Sequence, residues 1–171
     1  MNPKELKALL VRKIDSLDRV EHSKDPGKDF TRSRKVPFNT LITTILRMEG
    51  QSMGNELISI FPMASETPST SAFVQQRNKL KPGVFDVLFR SLADSLEKIQ
   101  EPKLLKGLRI LAVDGSDVLI PTDTSHIESL VPESSGQAAH NLLHLNAMYD
   151  LLQRIYVDEL IQDHHKANEH K

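Results

Sequence analysis

Leu6, Leu9, Leu10, Ile14 and Leu17 recur three and four residues apart, so the pattern predicts an amphipathic helix over residues 3–20. The next apolar face is Phe38, Leu41, Ile42, Ile45 and Leu46. Pro37 suits the first turn of that helix, where its missing N–H is not needed, and Gly50 can close it. Ser52 is a good N-cap for a short helix carrying Leu57, Ile58 and Phe61, ended by Pro62. After a turn-rich connector from Pro62 to Pro68, Ser69, Thr70 and Ser71 can cap a helix from Ala72 to Leu80. Pro82 starts another, with Phe85, Leu88, Phe89, Leu92, Leu96 and Ile99 along one side. This part reads as an all-helical bundle.

The pattern changes after Glu101-Pro102, which breaks the last helix, and the boundary is placed near 100–107. The expected domains are 1–105, helical, and 106–171. Leu108 to Val113 is an apolar run with β-branched residues, short enough for a buried strand that delivers Asp114 to its end. Asp114-Gly115-Ser116 is also ordinary turn chemistry. Val118 to Pro121 continues the extended character, and Pro121 to Gly136 reads as a loop. The apolar stretches 141–150 and 151–161 are read as two strands joined near Asp150–Gln153, because Ile155-Tyr156-Val157 favours extended structure. Asp163 to Lys171 would start a helix that the chain does not finish. The fold class is therefore α+β.

Composition narrows the setting. A chain of 171 residues makes one domain or two small ones, and 39% hydrophobic content supports a modest core. No apolar run reaches membrane-span length, and Met1 to Lys7 lacks a signal-peptide core. Zero Cys excludes disulfides and thiolate metal sites. A soluble cytoplasmic protein without a membrane partner is the expectation. The net charge of -1 hides an asymmetry. Residues 1–107 hold 18 Lys+Arg against 13 Asp+Glu, and residues 108–171 hold 4 against 10. A basic half suits phosphate and an acidic half suits cations, although two solvated surfaces would give the same counts.

Two stretches concentrate the positive charge. Lys28, Arg32, Arg34 and Lys35 lie beside Phe30 and Thr31 and face only Asp29. They form either a solvated loop or an arm that neutralises phosphates. Gln75, Gln76, Arg77 and Lys79, with Lys81 just beyond, give the 72–80 helix an amide and cation face. A short helix, a turn and such a helix resemble helix-turn-helix architecture, in which Gln reads adenine and Arg reads guanine or holds phosphate. An ordinary polar helix face is the competing reading. His140 and His144 are four apart, with His164, His165 and His170 beyond, but no Glu completes a His-Glu-x-x-His zinc pattern. No Gly-x-Gly loop is present to cradle phosphate, and no His is placed by the sequence to activate Ser116.

Four segments together resemble a known family: Phe30-Thr31-Arg32-Ser33-Arg34-Lys35, Ser71-Ala72-Phe73-Val74-Gln75-Gln76-Arg77, Leu111-Ala112-Val113-Asp114-Gly115-Ser116, and His144-Leu145-Asn146-Ala147-Met148-Tyr149-Asp150. In this order, across residues 28–165, they resemble the front half of bacterial insertion-sequence DDE transposases of the insertion-sequence-four-like group. The resemblance implies a helical DNA-binding part followed by the first three antiparallel strands of an RNase-H-like domain, here truncated. It implies Asp114 as the first of three acidic ligands for Mg²⁺ or Mn²⁺. The family's later Asp, in an Asp-Arg-Gly-Tyr-like motif, and its Glu do not occur in these residues. Two-metal phosphoryl transfer needs several carboxylates, so a lone Asp114 is expected to hold no ion stably and the chain to be inactive. Asp117 is expected to face solvent or form a turn. The first strand, central in that fold, is expected to be left as an unpaired edge. The implied partners are double-stranded DNA at element ends and a second copy on that DNA. A DNA-binding regulator or inhibitor of transposition, without catalysis, is the alternative.

Overall fold

In the computed structural model the structure describes residues 1–32, 35–61, 63–134 and 136–166. It divides into two compact units, Met1–Leu92 and Ala93–Lys171. The class is α+β, with five helices and a four-stranded antiparallel sheet.

The first unit is helical. Helix α1 spans Pro3–Asp15, and a capping box opens it: Glu5 N–H donates to Asn2 Oδ1 at 3.0 Å and Asn2 N–H to Glu5 Oε2 at 2.9 Å. It stops short of residue 20 because Asp18 Oδ1 accepts from Val20 N–H at 2.8 Å and turns the chain. Helix α2, Phe38–Arg47, has Pro37 as its N-cap. Its C-cap Met48 is already extended, so Gly50, at φ +84°, lies beyond the helix end. Helix α3 is Met53–Ile60 and α4 is Thr70–Arg77. Ser69 Oγ caps α4 by accepting from Ala72 N–H at 3.2 Å. Helix α5, Val84–Ile99, carries the boundary between the units. Ile14, Val36, Phe38, Leu41, Ile42, Leu57, Phe73, Leu80, Val84 and Leu88 make the core. Buried Glu56 ties α2 to α3, its Oε1 accepting from Glu49 and Gln51 N–H at 2.8 and 2.7 Å.

The second unit is built on strands β1, Leu111–Ile120; β2, Leu130–Val131; β3, His140–Asp150; and β4, Ile155–Asp163. Strand β3 is central. It pairs with β1 on one edge, and with β4 and the short β2 on the other. The β3–β4 hairpin turns on Asp150, which is fully buried. Its Oδ1 accepts from Leu152 and Gln153 N–H at 2.9 and 2.8 Å, and Arg109 Nε donates to its Oδ2 at 2.7 Å. Arg109 also donates to Glu97 at 2.6 Å. A 3-10 turn, His164–Lys166, follows β4.

Four expectations change. The 108–117 stretch is not a buried strand: β1 begins at Leu111, and Val113 and Leu119 are 66% and 70% exposed. An outer strand with one neighbour has both faces open unless a further layer covers them. Asp114 sits inside β1 rather than at its end, so Asp114-Gly115-Ser116 is not a turn. Asp117 faces solvent as expected, though from within β1 and not from a turn. The segment read as a loop supplies β2, too short to leave a period-two signal. Among the described residues β1 has no partner on its second edge.

Phe73 is fully buried, so Phe73→Ala is expected to cost about 3–5 kcal/mol in a denaturant titration of the helical unit. The backbone amide of Gln153 first, then Arg109 and the Leu152 amide, hold the Asp150 carboxyl below its ordinary range. A depressed folded pKa gives stability that is present above the unfolded value near ~3.9 and lost as pH falls through the lower folded value. Acid titration followed by circular dichroism should therefore show the sheet losing stability below about pH 4, and Asp150→Asn should flatten that dependence.

Candidate nucleic-acid interface and the Asp114 strand

A non-local backbone bridge organises the basic surface. Lys24 N–H donates to Lys79 O and Lys81 N–H donates to His22 O, both at 2.9 Å, around the pair Ser23 and Leu80. Both members of that pair are buried. The loop after α1 is thereby fastened to the chain leaving α4. Asp29, buried, accepts from Asp25 N–H at 2.9 Å, and its carbonyl accepts from Arg19 at 3.2 Å. The only acid within 28–35 is thus turned inward, while Lys28, Arg32 and Lys35 are exposed. Phe30 follows at φ +54°, a strained left-handed conformation for a bulky side chain. Its ring packs edge-on against Phe38 with centroids 5.4 Å apart, anchoring the loop to the core between Lys28 and Arg32.

The result is two adjoining recesses. One, of about 460 Å³, is lined by Lys28, Phe30, Arg32, Gln76 and Lys79 among others. The second, of about 530 Å³, is lined by Lys35, Thr67, Ser69, Gln75 and Gln76 among others. Gln76 belongs to both and is only 6% exposed, so it forms their shared wall, where its Oε1 accepts from Lys79 Nζ at 3.4 Å. Gln75 is exposed and bonds Ser71 at 3.4 Å; Arg77 is exposed at the end of α4. Lys35 reaches Thr67 O at 3.5 Å. Lys81 Nζ donates to Glu21 O at 2.8 Å, so its ammonium braces the loop. Lys28 makes an exposed ion pair with Asp25 at 3.3 Å, which costs little to exchange for a phosphate. Arg34 lies outside the described residues. The connection between α3 and α4, Phe61–Ser69, is longer than the three- or four-residue turn of a helix-turn-helix, so that architecture does not describe these helices.

In the sheet unit the register separates the acids. Asp114 faces Ala147 and Asp117 faces His144; three residues apart on one strand, they project from opposite faces. Asp114 is exposed and accepts from Gly115 N–H at 3.0 Å. Ala147 pairs in turn with Glu159, so Glu159 shares the Asp114 face two strands away, about 10 Å at the backbone. That donor set does not fit a two-ion centre, which needs carboxylates converging on ions a few ångströms apart. Metal-ligand spacing, among the described residues, occurs instead at His126, Glu128 and Asp163.

Asp117 has a different role. His144 Nδ1 donates to its Oδ1 at 2.9 Å and His164 Nδ1 at 3.4 Å. The His144 bond first, and then His164, hold the Asp117 carboxyl below its ordinary range against desolvation. His140 lies on the same face as His144 but bonds Ala138 O at 3.0 Å. Gly115 makes room for the buried His144 ring, since a Cβ there would lie 2.8 Å from His144 Nε2. Gly115→Ala is therefore expected to push the imidazole off Asp117, read as a changed His144 ring ¹⁵N shift with the β1–β3 amide pattern retained. An unchanged shift would contradict this packing. Comparison of the chain with protein-family models, curated proteins and solved structures finds no match.

Proposed function

We propose that the helical unit binds duplex DNA through the paired recesses, and that the chain is a transposase-like protein. The observation that carries this reading is the convergence of two separate cationic stretches, Lys28 and Arg32 from the loop and Lys79 from the chain leaving α4, around one recess. Lys and Arg so placed can neutralise adjacent phosphates, while exposed Gln75 and Arg77 offer base or backbone contacts. In this reading the sheet is the opening of an RNase-H-like domain, with Asp114 in the place of the first acidic ligand. A second copy would pair two DNA ends, in the cytoplasm where such DNA lies.

Glu159, the carboxylate that shares the Asp114 face, stands two strands away at about 10 Å, too far to hold a pair of ions with it, which favours binding without strand cleavage by these 171 residues, as a regulator of transposition would do. No Mg²⁺- or Mn²⁺-dependent step is assigned to them.

Fluorescence anisotropy of a labelled duplex across a salt series tests the reading. Affinity should fall linearly in log–log form, and Lys28→Ala, Arg32→Ala and Lys79→Ala should each reduce the slope by about 1. Asp114→Asn should bind like the parent. Absence of low-salt binding, or slopes unmoved by the three substitutions, would sink the proposal. Strand cleavage with Mg²⁺ that Asp114→Asn abolishes would contradict the non-catalytic reading.

A further inference from the structure

We propose that His126, Glu128 and Asp163 form a site for a divalent transition metal of the zinc class, separate from Asp114. One ligand atom from each residue lies within 4.8 Å of the others, and His126 Nδ1 is 3.9 Å from Asp163 Oδ1. Ligands held about 2.0–2.2 Å from one zinc ion lie roughly 3–4 Å from each other, so a small side-chain adjustment closes the set. Imidazole beside two carboxylates selects zinc-like ions over Mg²⁺, which prefers oxygen alone. Three protein ligands leave a position for water, and the 51% exposure of the His126 side chain gives the ion an entry path.

The segments carrying these ligands are fixed before any ion arrives. Asn141 and Ser129 are both fully buried. Asn141 Nδ2 donates to Ser129 Oγ at 2.8 Å, to Asp123 O at 3.1 Å and to His126 O at 3.3 Å, while its Oδ1 accepts from Asp123 N–H at 2.7 Å. Ser129 Oγ lies 2.7 Å from His126 Nδ1, the nitrogen that also faces Asp163, so an ion bound at Nδ1 replaces this hydrogen bond. The other side of the site is tied on by the residues after β4: His165 N–H donates to Glu128 O at 3.1 Å, and His165 Nε2 to Leu130 O at 2.8 Å. The buried Asn141 amide thus holds the backbone of this turn in place. The surplus of acids over bases in residues 108–171 adds attraction for a cation.

The site is distinct from Asp114. Asp163 pairs with Leu143 and Asp114 with Ala147, four residues apart along β3, or about 13 Å. No single ion spans that gap. Bound metal would clamp the 123–130 turn to the end of β4.

The test is a Co²⁺ titration of the full chain, untagged and treated with chelator, followed by Zn²⁺ calorimetry. The expected result is one equivalent bound with micromolar affinity or better, with visible bands of a low-coordinate Co²⁺ site. His126→Gln and Asp163→Asn should each weaken it by roughly tenfold or more. Glu128→Gln, at an exposed position where the fold should persist, should also weaken it, with an unchanged far-ultraviolet spectrum as the control. Asp114→Asn and His164→Gln should leave it intact. Zn²⁺ should raise amide protection over 123–130. No stoichiometric binding, binding only at millimolar metal, or binding that survives the His126 and Asp163 substitutions together would overturn the assignment.

Discussion

The backbone bridge between Ser23 and Leu80 is the contact on which the candidate interface depends. It is two hydrogen bonds long, from Lys24 to Lys79 and from Lys81 to His22, yet it joins the loop after α1 to the chain leaving α4. Its central pair is buried, so its hydrogen bonds are shielded from competing water. Phe30 completes the arrangement by accepting a left-handed conformation so that its ring can reach Phe38. The cost of that conformation, about 1–3 kcal/mol, is offset by the packing of a half-buried aromatic ring against the core. Lys28 and Arg32, on either side of the anchored ring, are left at the surface beside Lys79. Positive charge is concentrated here by chain topology rather than by composition, since the chain as a whole carries -1.

The sheet unit has its own constraint in Asp150. This buried carboxylate gathers the hairpin amides and Arg109 around itself and sets where β3 ends and β4 begins. The β1–β3 register then fixes the rest. Because side chains alternate along a strand, Asp114 and Asp117 cannot share a site. Asp117 is drawn to His144 and His164, while Asp114 is left on the other face with Ala147 opposite. The chemical difference between two aspartates three residues apart is therefore a consequence of strand period.

Much of the helical unit was legible in the chain because its faces repeat at helical spacing. Phe38, Leu41 and Ile42 are buried in α2 as their spacing implies, and Ser69 caps α4 through its hydroxyl. The hairpin at Asp150 was legible from the strand-forming residues that flank it. Other features had no local signature. Strand β2 is two residues long, and its existence depends on pairing with β3. The exposure of β1 depends on its outer position in the sheet, which an apolar run does not reveal. Basic residues at 28–35 and 75–81 could be picked out as candidates, but only the non-local bridge puts them around common recesses. His126 drew no attention in the sequence because its companions Glu128 and Asp163 come together through the β3–β4 pairing and the turn that packs on it.

Amide hydrogen exchange of the full chain, with and without duplex DNA at low salt, tests the central claim most directly. A single grip built from two segments requires DNA to slow exchange together at 24–32 and 75–81, with the β1 amides of 111–120 unchanged. Slowing confined to one of the two segments, or appearing only in the sheet, would contradict a shared DNA-binding surface at the Ser23–Leu80 bridge.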